Sequence, residues 1–265
     1  TGSFSVGKII AMKAAPKLCP VTLELGGKNP NIIMSDADLD IAIPGVIDGM
    51  RYTRQGQACT AGSRVYIHEK IYDKVLNGAV EKLSKLKMGN ALDEKSDIGA
   101  IISEEQLKRT LYYMDIAKKN SSTKILHGGN QSKGGDYKDG FYYEPTLLSG
   151  LPVSSPVCQE EVFGPVACAI PFKSFDEVME SANDTQFGLS AVLWTKDLSR
   201  ALQFVDEIEA GFVQVNQCVA PRANVSYGGI KMSGLGKEYA FDSMMNHFTQ
   251  SKTILINRGK SNLDV

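Results

Sequence analysis

Segments of strand character alternate with segments of helical period along most of this chain, and that order leaves few architectures open. RVYIHE at 64–69, VACAIPF at 166–172 and GFVQVN at 211–216 are short apolar runs rich in β-branched and aromatic residues, as strands buried in a sheet are. VTLEL at 21–25, NIIM at 31–34, TKILHGG at 123–129 and FYYEPTLL at 141–148 read as further strands, the third ending in a turn. Between them lie helical stretches: VGKIIAMKAA at 6–15, then 70–87, 104–119, 175–183 and 197–209. SDADLDIAI at 35–43 opens another helix with Ser35 or Asp36 as N-cap, and Pro44-Gly45 is expected to kink or break it. The stretch 129–141 is rich in Gly, Lys and Asp and reads as a solvent loop. Alternation of this kind predicts an α/β fold with a mainly parallel sheet. Two features stand apart. The first helix has no strand before it, and KTILIN at 252–257 is a strand with no partner nearby in sequence.

Charge and cysteine usage remove several function classes. Lys plus Arg number 29 against 30 Asp plus Glu, which supports neither nucleic-acid binding nor a polybasic membrane contact. No apolar run approaches the ~18 residues of a membrane span. The opening TGSFSVGK lacks the pattern of a signal peptide. Five cysteines, at 19, 59, 158, 168 and 218, form no CxxC pair, so a disulfide scaffold is disfavoured and a reducing, cytoplasmic setting is expected. His68, His127 and His247 are far apart and make no metal-ligand spacing, so no metal is expected.

Cys59 is the leading candidate for chemistry. It lies in RQGQACTAGSR, among small and polar residues that leave room for a ligand to approach the sulfur, although an isolated cysteine can equally be inert packing. Glu24 ends the strand VTLEL and precedes Gly26-Gly27; the carboxyl end of a parallel strand is where α/β folds place ligands, and the alternative is an exposed strand end. Gly2-Ser3, ahead of the first helix, could cradle an anion or serve as an ordinary cap. EEVFGPV at 160–166 and the Gly-rich SYGGIKMSGLGKE at 226–238 read as a loop anchor and a structural turn when each is taken alone.

Taken together these segments resemble the aldehyde dehydrogenase superfamily. The resemblance is carried by TGSFSVG at 1–7, LELGGKNPNIIMSDADLD at 23–40, GQACTAGSR at 56–64, EEVFGPV at 160–166, GFVQVN at 211–216 and GGIKMSGLGKE at 228–238, in the family's order. It implies that Cys59 is the catalytic thiol and Glu24 the general base that activates water against a thioester. It implies that Gly2, Ser3 and Gly7 line the pyrophosphate of NAD or NADP, that Leu25 and Phe163 meet the nicotinamide end, and that Glu161 holds the nicotinamide ribose. It places Asn216 and Tyr227 at the substrate tunnel and catalytic pocket. Tyr227 stands where the family commonly has Phe, and Lys237 where it commonly has Arg.

The resemblance also implies an organisation. Residues 1–27 would be a remnant of a Rossmann-type cofactor domain, 28–236 the catalytic domain, 237–249 a return segment, and 250–265 an oligomerisation strand and tail. Family members are longer, so the chain resembles their carboxyl-terminal part, a partial enzyme. The implied reaction is oxidation of an aldehyde to a carboxylic acid, in a homodimer or tetramer formed through the terminal strand. Two alternatives are a cofactor-independent thiol esterase and an inert assembly module.

Overall fold

The computed structural model describes residues 1–257 and 259. The helices are α1 (Phe4–Ala14), α2 (Leu39–Gly49), α3 (Tyr72–Leu83), α4 (Glu104–Lys119), α5 (Pro156–Gln159), α6 (Phe175–Asn183), α7 (Leu198–Glu207) and α8 (Phe241–Phe248). The strands are β1 (Leu23–Glu24), β2 (Pro30–Ile33), β3 (Arg64–His68), β4 (Lys124–His127), β5 (Thr146–Ser149), β6 (Val166–Phe172), β7 (Phe187–Gly188), β8 (Ser190–Trp194), β9 (Phe212–Val215), β10 (Ile230–Lys231) and β11 (Gly234–Leu235).

Seven strands form one sheet in the order β4-β5-β6-β3-β2-β8-β9. Every neighbouring pair is parallel except β4 with β5. The two-residue alternation of strand side chains divides the core. Ile32, Tyr66, Leu148, Cys168, Ile170 and Leu193 point to one side, where they meet residues of α4, α5, α6 and α7. Ile33, Val65, Ile67, Leu147, Ala169 and Trp194 point to the other and meet α2 and α3. Burial of both faces is the reason the strands carry continuous apolar runs.

Helix ends follow their caps. Ser103 accepts from the Gln106 N–H at the start of α4, with Glu104 and Glu105 in the first turn and Lys118 and Lys119 in the last, so both dipole ends meet complementary charge. The cap of α2 differs from expectation. Asp38, rather than Ser35 or Asp36, caps it by accepting from the Asp40 N–H. Asp36 instead accepts from the Thr195 hydroxyl and from the N–H groups of Lys196 and Asp197, tying down the turn after β8.

Pro44-Gly45 does not break α2, which runs on to Gly49. The ring of Pro44 removes one helical donor, but tertiary contacts hold the next residue. Asn31 donates to the Gly45 carbonyl at 3.1 Å and accepts from the Trp194 indole at 2.7 Å. A Cβ on Gly45 would stand 2.1 Å from the indole ring. Gly45→Ala is therefore expected to destabilise the fold by about 1–3 kcal/mol through overpacking, read as a lower urea midpoint; an unchanged midpoint would show that this contact has slack.

Three strand expectations change. β1 is only two residues long and pairs antiparallel with β11, outside the main sheet, so Glu24 does not end a parallel strand. The pairing is antiparallel because the Gly-rich segment at 228–236 returns past Glu24 through backbone positions open only to glycine, with Gly234 at φ +157. In FYYEPTLL the strand starts at Thr146, and Tyr143 makes only an isolated bridge to Gln131. KTILIN forms no strand among the described residues; residues 258 and 260–265 of the 250–265 segment lie outside them. β8 and α8 were not expected from the sequence: SAVLW is a short buried run, and α8 has no side-chain cap to announce it.

Candidate active site

A cleft of about 990 Å³ opens where α1, β1, the turn after α2, α4 and the loop 160–163 converge. Its walls include Gly2, Ser3, Glu24, Leu25, Cys59, Glu161, Phe163 and Tyr227.

Cys59 sits in a tight turn, half-buried. Arg51, Gln55 and Gly56 all take positive φ and coil the chain ahead of it, and a Cβ on Gly56 would meet the Gly164 carbonyl at 2.3 Å. Asn29 pins the turn to the sheet. Its amide donates to the carbonyls of Cys59 (2.7 Å) and Ala61 (3.0 Å), while its oxygen accepts from the Ser190 N–H at 2.9 Å. Gly27 closes the arrangement, since a Cβ there would lie 2.6 Å from the Cys59 carbonyl oxygen. The sulfur lies 3.6 Å from the Tyr227 hydroxyl.

Glu24 is placed by its own backbone. Its carbonyl accepts from the Gly2 N–H at 3.1 Å, and Leu25 N–H donates to the Ser233 carbonyl at 2.8 Å. Glu24 is 5% exposed, and neither carboxyl oxygen has a hydrogen-bond partner among the described residues. Burial, with repulsion from Glu238 added, pushes its pKa up to about 7; Lys237 opposes the rise. A buried carboxyl with both oxygens unpaired is costly to keep. Gly228 is packed against it: a Cβ there would stand 2.7 Å from Oε1.

The loop 160–163 is held by α4. Gln106 donates to the carbonyls of Val162 and Phe163, Arg109 to that of Glu161, and the Tyr113 hydroxyl to the Glu160 carboxylate. This fixes Phe163 at φ +56 and aims Glu161 at the glycine pair. Glu161 accepts from the Gly27 N–H at 3.0 Å, and a Cβ on Gly26 would collide with its carboxylate at 2.3 Å. Burial raises the Glu161 pKa, and the Gly27 hydrogen bond works against that rise.

Two residues proposed from the sequence lie elsewhere. Asn216 is not in this cleft. The chain turns at positive φ after β9, and the Asn216 amide folds back to bond both the N–H and the carbonyl of Thr195, beside a separate surface hollow of about 390 Å³. Gly7 lies inside α1, where the missing side chain admits Leu25 to contact; a Cβ would stand 2.6 Å from it. Ser3 caps α1 by accepting from the Val6 N–H. Asn29, Gln106, Arg109 and Glu238 were not singled out from the sequence. Only Asn29, a polar residue opening a buried strand run, carried a local signal. Among the described residues no group of three or more His, Cys, Asp or Glu side chains could hold a metal ion.

The model of the aldehyde dehydrogenase family matches residues 1–254. The chain belongs to the aldehyde dehydrogenase family. Among family members it is 41% identical over 262 residues to an aldehyde dehydrogenase of Deinococcus radiodurans, covering 97% of this chain and 50% of that one. It is 38% identical over 260 residues to aldehyde dehydrogenase B of Escherichia coli, again covering 97% of this chain and 50% of the relative. Betaine aldehyde dehydrogenase from Staphylococcus aureus, solved with NAD+, superposes with a TM-score of 0.92 at 35% identity, over 99% of this chain and 52% of that one. The NAD+ complex of an aldehyde dehydrogenase from Bacillus cereus superposes at 0.86 with 36% identity, over 91% of this chain and 49% of that one. The chain thus spans about half the length of the aldehyde dehydrogenases it matches.

Proposed function

We propose that this chain carries the catalytic machinery of an NAD- or NADP-dependent aldehyde dehydrogenase that oxidises an aldehyde to a carboxylic acid. The observation that carries the reading is one cleft holding both a thiol and a buried, unpartnered carboxyl group, Cys59 and Glu24.

The residues present fit a dinucleotide. Gly26 offers bare backbone beside Glu161, which would take the nicotinamide ribose hydroxyls; Leu25 and Phe163 would flank the ring. Gly2 and Ser3, at the N-terminus of α1, would meet the pyrophosphate, because free N–H groups there favour an anion. The nicotinamide, when bound, supplies the hydride acceptor.

The Cys59 thiolate attacks the aldehyde carbon and forms a thiohemiacetal, whose oxyanion the Cys59 backbone N–H would stabilise. Oxidation leaves a thioester on the sulfur. The Glu24 carboxylate then takes a proton from a water molecule, which attacks the thioester carbon and releases the acid. An unpaired carboxyl with a pKa of about 7 suits this, since its lone pairs are free and its basicity matches a neutral pH. Glu24 also favours hydrolysis over transfer of the acyl group to coenzyme A. The test is aldehyde-dependent reduction of NAD or NADP by a protein of the relatives' full length carrying this chain. Absence of reduction across aliphatic and aromatic aldehydes would refute the reading.

The assembly follows the same reading. Residues 1–27 would face the cofactor and bring Glu24 to the cleft, 28–236 would form the catalytic domain with Cys59, 237–249 would return toward the cofactor, and the segment 250–265 would pair with a second copy. Among the described residues strand β9 is an edge strand, bonded only to β8, and Leu255 is 92% exposed between Ile254 and Ile256. An exposed apolar run and an open sheet edge are complementary. Removal of residues 248–258 is expected to convert a dimer or tetramer to monomer in light scattering; an unchanged mass would place the interface elsewhere.

A further inference from the structure

We propose that the Tyr227 hydroxyl donates a hydrogen bond to the Cys59 sulfur and holds it as an oriented thiolate. This rests on the reading of Cys59 as the nucleophile and adds a residue to its activation.

The geometry is a built one. The Tyr227 oxygen lies 3.6 Å from the sulfur, within reach of a hydrogen bond to that large atom. The two residues are 168 positions apart in sequence, so only tertiary structure joins them. Tyr227 is fixed at its backbone by reciprocal bonds with Glu238, at 3.0 and 2.7 Å. Its ring is gripped edge-on by Phe212 and Tyr239, with centroids 5.4 and 5.7 Å away. The side chain is 6% exposed, so water does not compete freely for the hydroxyl.

Direction follows from chemistry. A thiolate has no hydrogen, so it can only accept. Burial, reinforced by the charge a thiolate at Cys59 would carry, raises the phenol pKa, and Tyr227 keeps its proton to donate. Other charged side chains that line this cleft are Glu24 on β1, Glu105 and Arg109 on α4, Glu160 and Glu161 on their loop, Glu238 beside Tyr239, and Arg54 ahead of Cys59. Five of these seven are carboxyl groups, and the Tyr227 hydroxyl is a neutral donor aimed at the sulfur. A phenylalanine at position 227, common in the family, would keep the ring packing and lack the donor. The hydroxyl is therefore a function-bearing addition to a structural ring.

The test is the pH dependence of Cys59 alkylation by iodoacetamide, with labelled peptides resolved by mass spectrometry and Cys59→Ala identifying the site. Tyr227→Phe keeps ring and volume. It is expected to slow Cys59 alkylation near neutral pH by roughly three- to tenfold and to move the profile to higher pH, since a hydrogen bond to the charged form is lost. Cys19, exposed and distant, should react alike in both proteins, and thermal unfolding midpoints should agree. In urea the Cys59 rates of the two proteins should converge, because the contact is tertiary. Identical folded-state profiles for wild type and Tyr227→Phe would overturn the proposal, as would a difference that persists in urea. Identical profiles together with a turnover that still requires Cys59 would leave the reading of the nucleophile standing. Turnover that survives Cys59→Ala would overturn that reading instead.

Discussion

Cys59→Ala is expected to abolish aldehyde oxidation in a full-length enzyme built on this chain. No other thiol can substitute. Cys158 and Cys168 are buried in the core, Cys19 is exposed away from the cleft, and Cys218 packs near Gly45 with its thiol donating to that carbonyl. Without the sulfur no covalent adduct forms, and Glu24 has no thioester to hydrolyse. The expected loss is about 10⁴-fold or more in turnover, equivalent to about 5 kcal/mol or more of transition-state stabilisation. Fold and cofactor affinity should survive, because Cys59 is half-buried and its turn is held through backbone groups by Asn29. A variant turning over within tenfold of wild type would remove Cys59 from the mechanism.

Glu24→Gln should leave the first half of the reaction and block the second. The amide is nearly isosteric but cannot take a proton from water, so the acyl group stays on Cys59. Loss of a general base slows its step by roughly 10²- to 10⁴-fold. Incubated with aldehyde and cofactor, the variant should gain the mass of one acyl group at Cys59, and hydroxylamine should remove it. The wild type gives the matching pH signature. Burial raises the Glu24 pKa to about 7, so the carboxyl is protonated and idle below that pH and ionised above it. Where thioester hydrolysis limits turnover, the rate should therefore climb as pH rises through about 7 and level off above. The variant should lose this limb. A variant that hydrolyses its thioester at the wild-type rate would show that another group is the base.

Much of the architecture was legible from local patterns. Helix 104–119 matches α4 from end to end, because Ser103 caps it, acids open it and lysines close it. The strand runs at 64–69 and 166–172 were legible because burial on both faces favours continuous apolar stretches, and that at 211–216, a half-buried edge strand, from its aromatic and β-branched residues. Errors arose where distant residues set the outcome. Pro44-Gly45 reads as a break until Trp194 and Asn31, from β8 and β2, pack on Gly45. Asp36 reads as a cap until Thr195 arrives with three donors around it. Asn216 reads as a residue of the cleft until its amide folds back on Thr195, beside a separate hollow.

The sequence by itself determined the family and the alternation of helix and strand, and it pointed to Cys59 and Glu24 as the thiol and carboxylate proposed for the chemistry. All of these reside in contiguous residues, in a period of two or 3.6 or in a short motif. Tertiary structure alone decided the state of those groups. Glu24 acquires its raised pKa from burial and from Glu238, over two hundred positions away in the chain. Its strand finds a partner only in Gly234–Leu235. Cys59 gains a hydroxyl neighbour from Tyr227. Desolvation and hydrogen bonding depend on which atoms surround a group in space, and a local pattern carries no record of them.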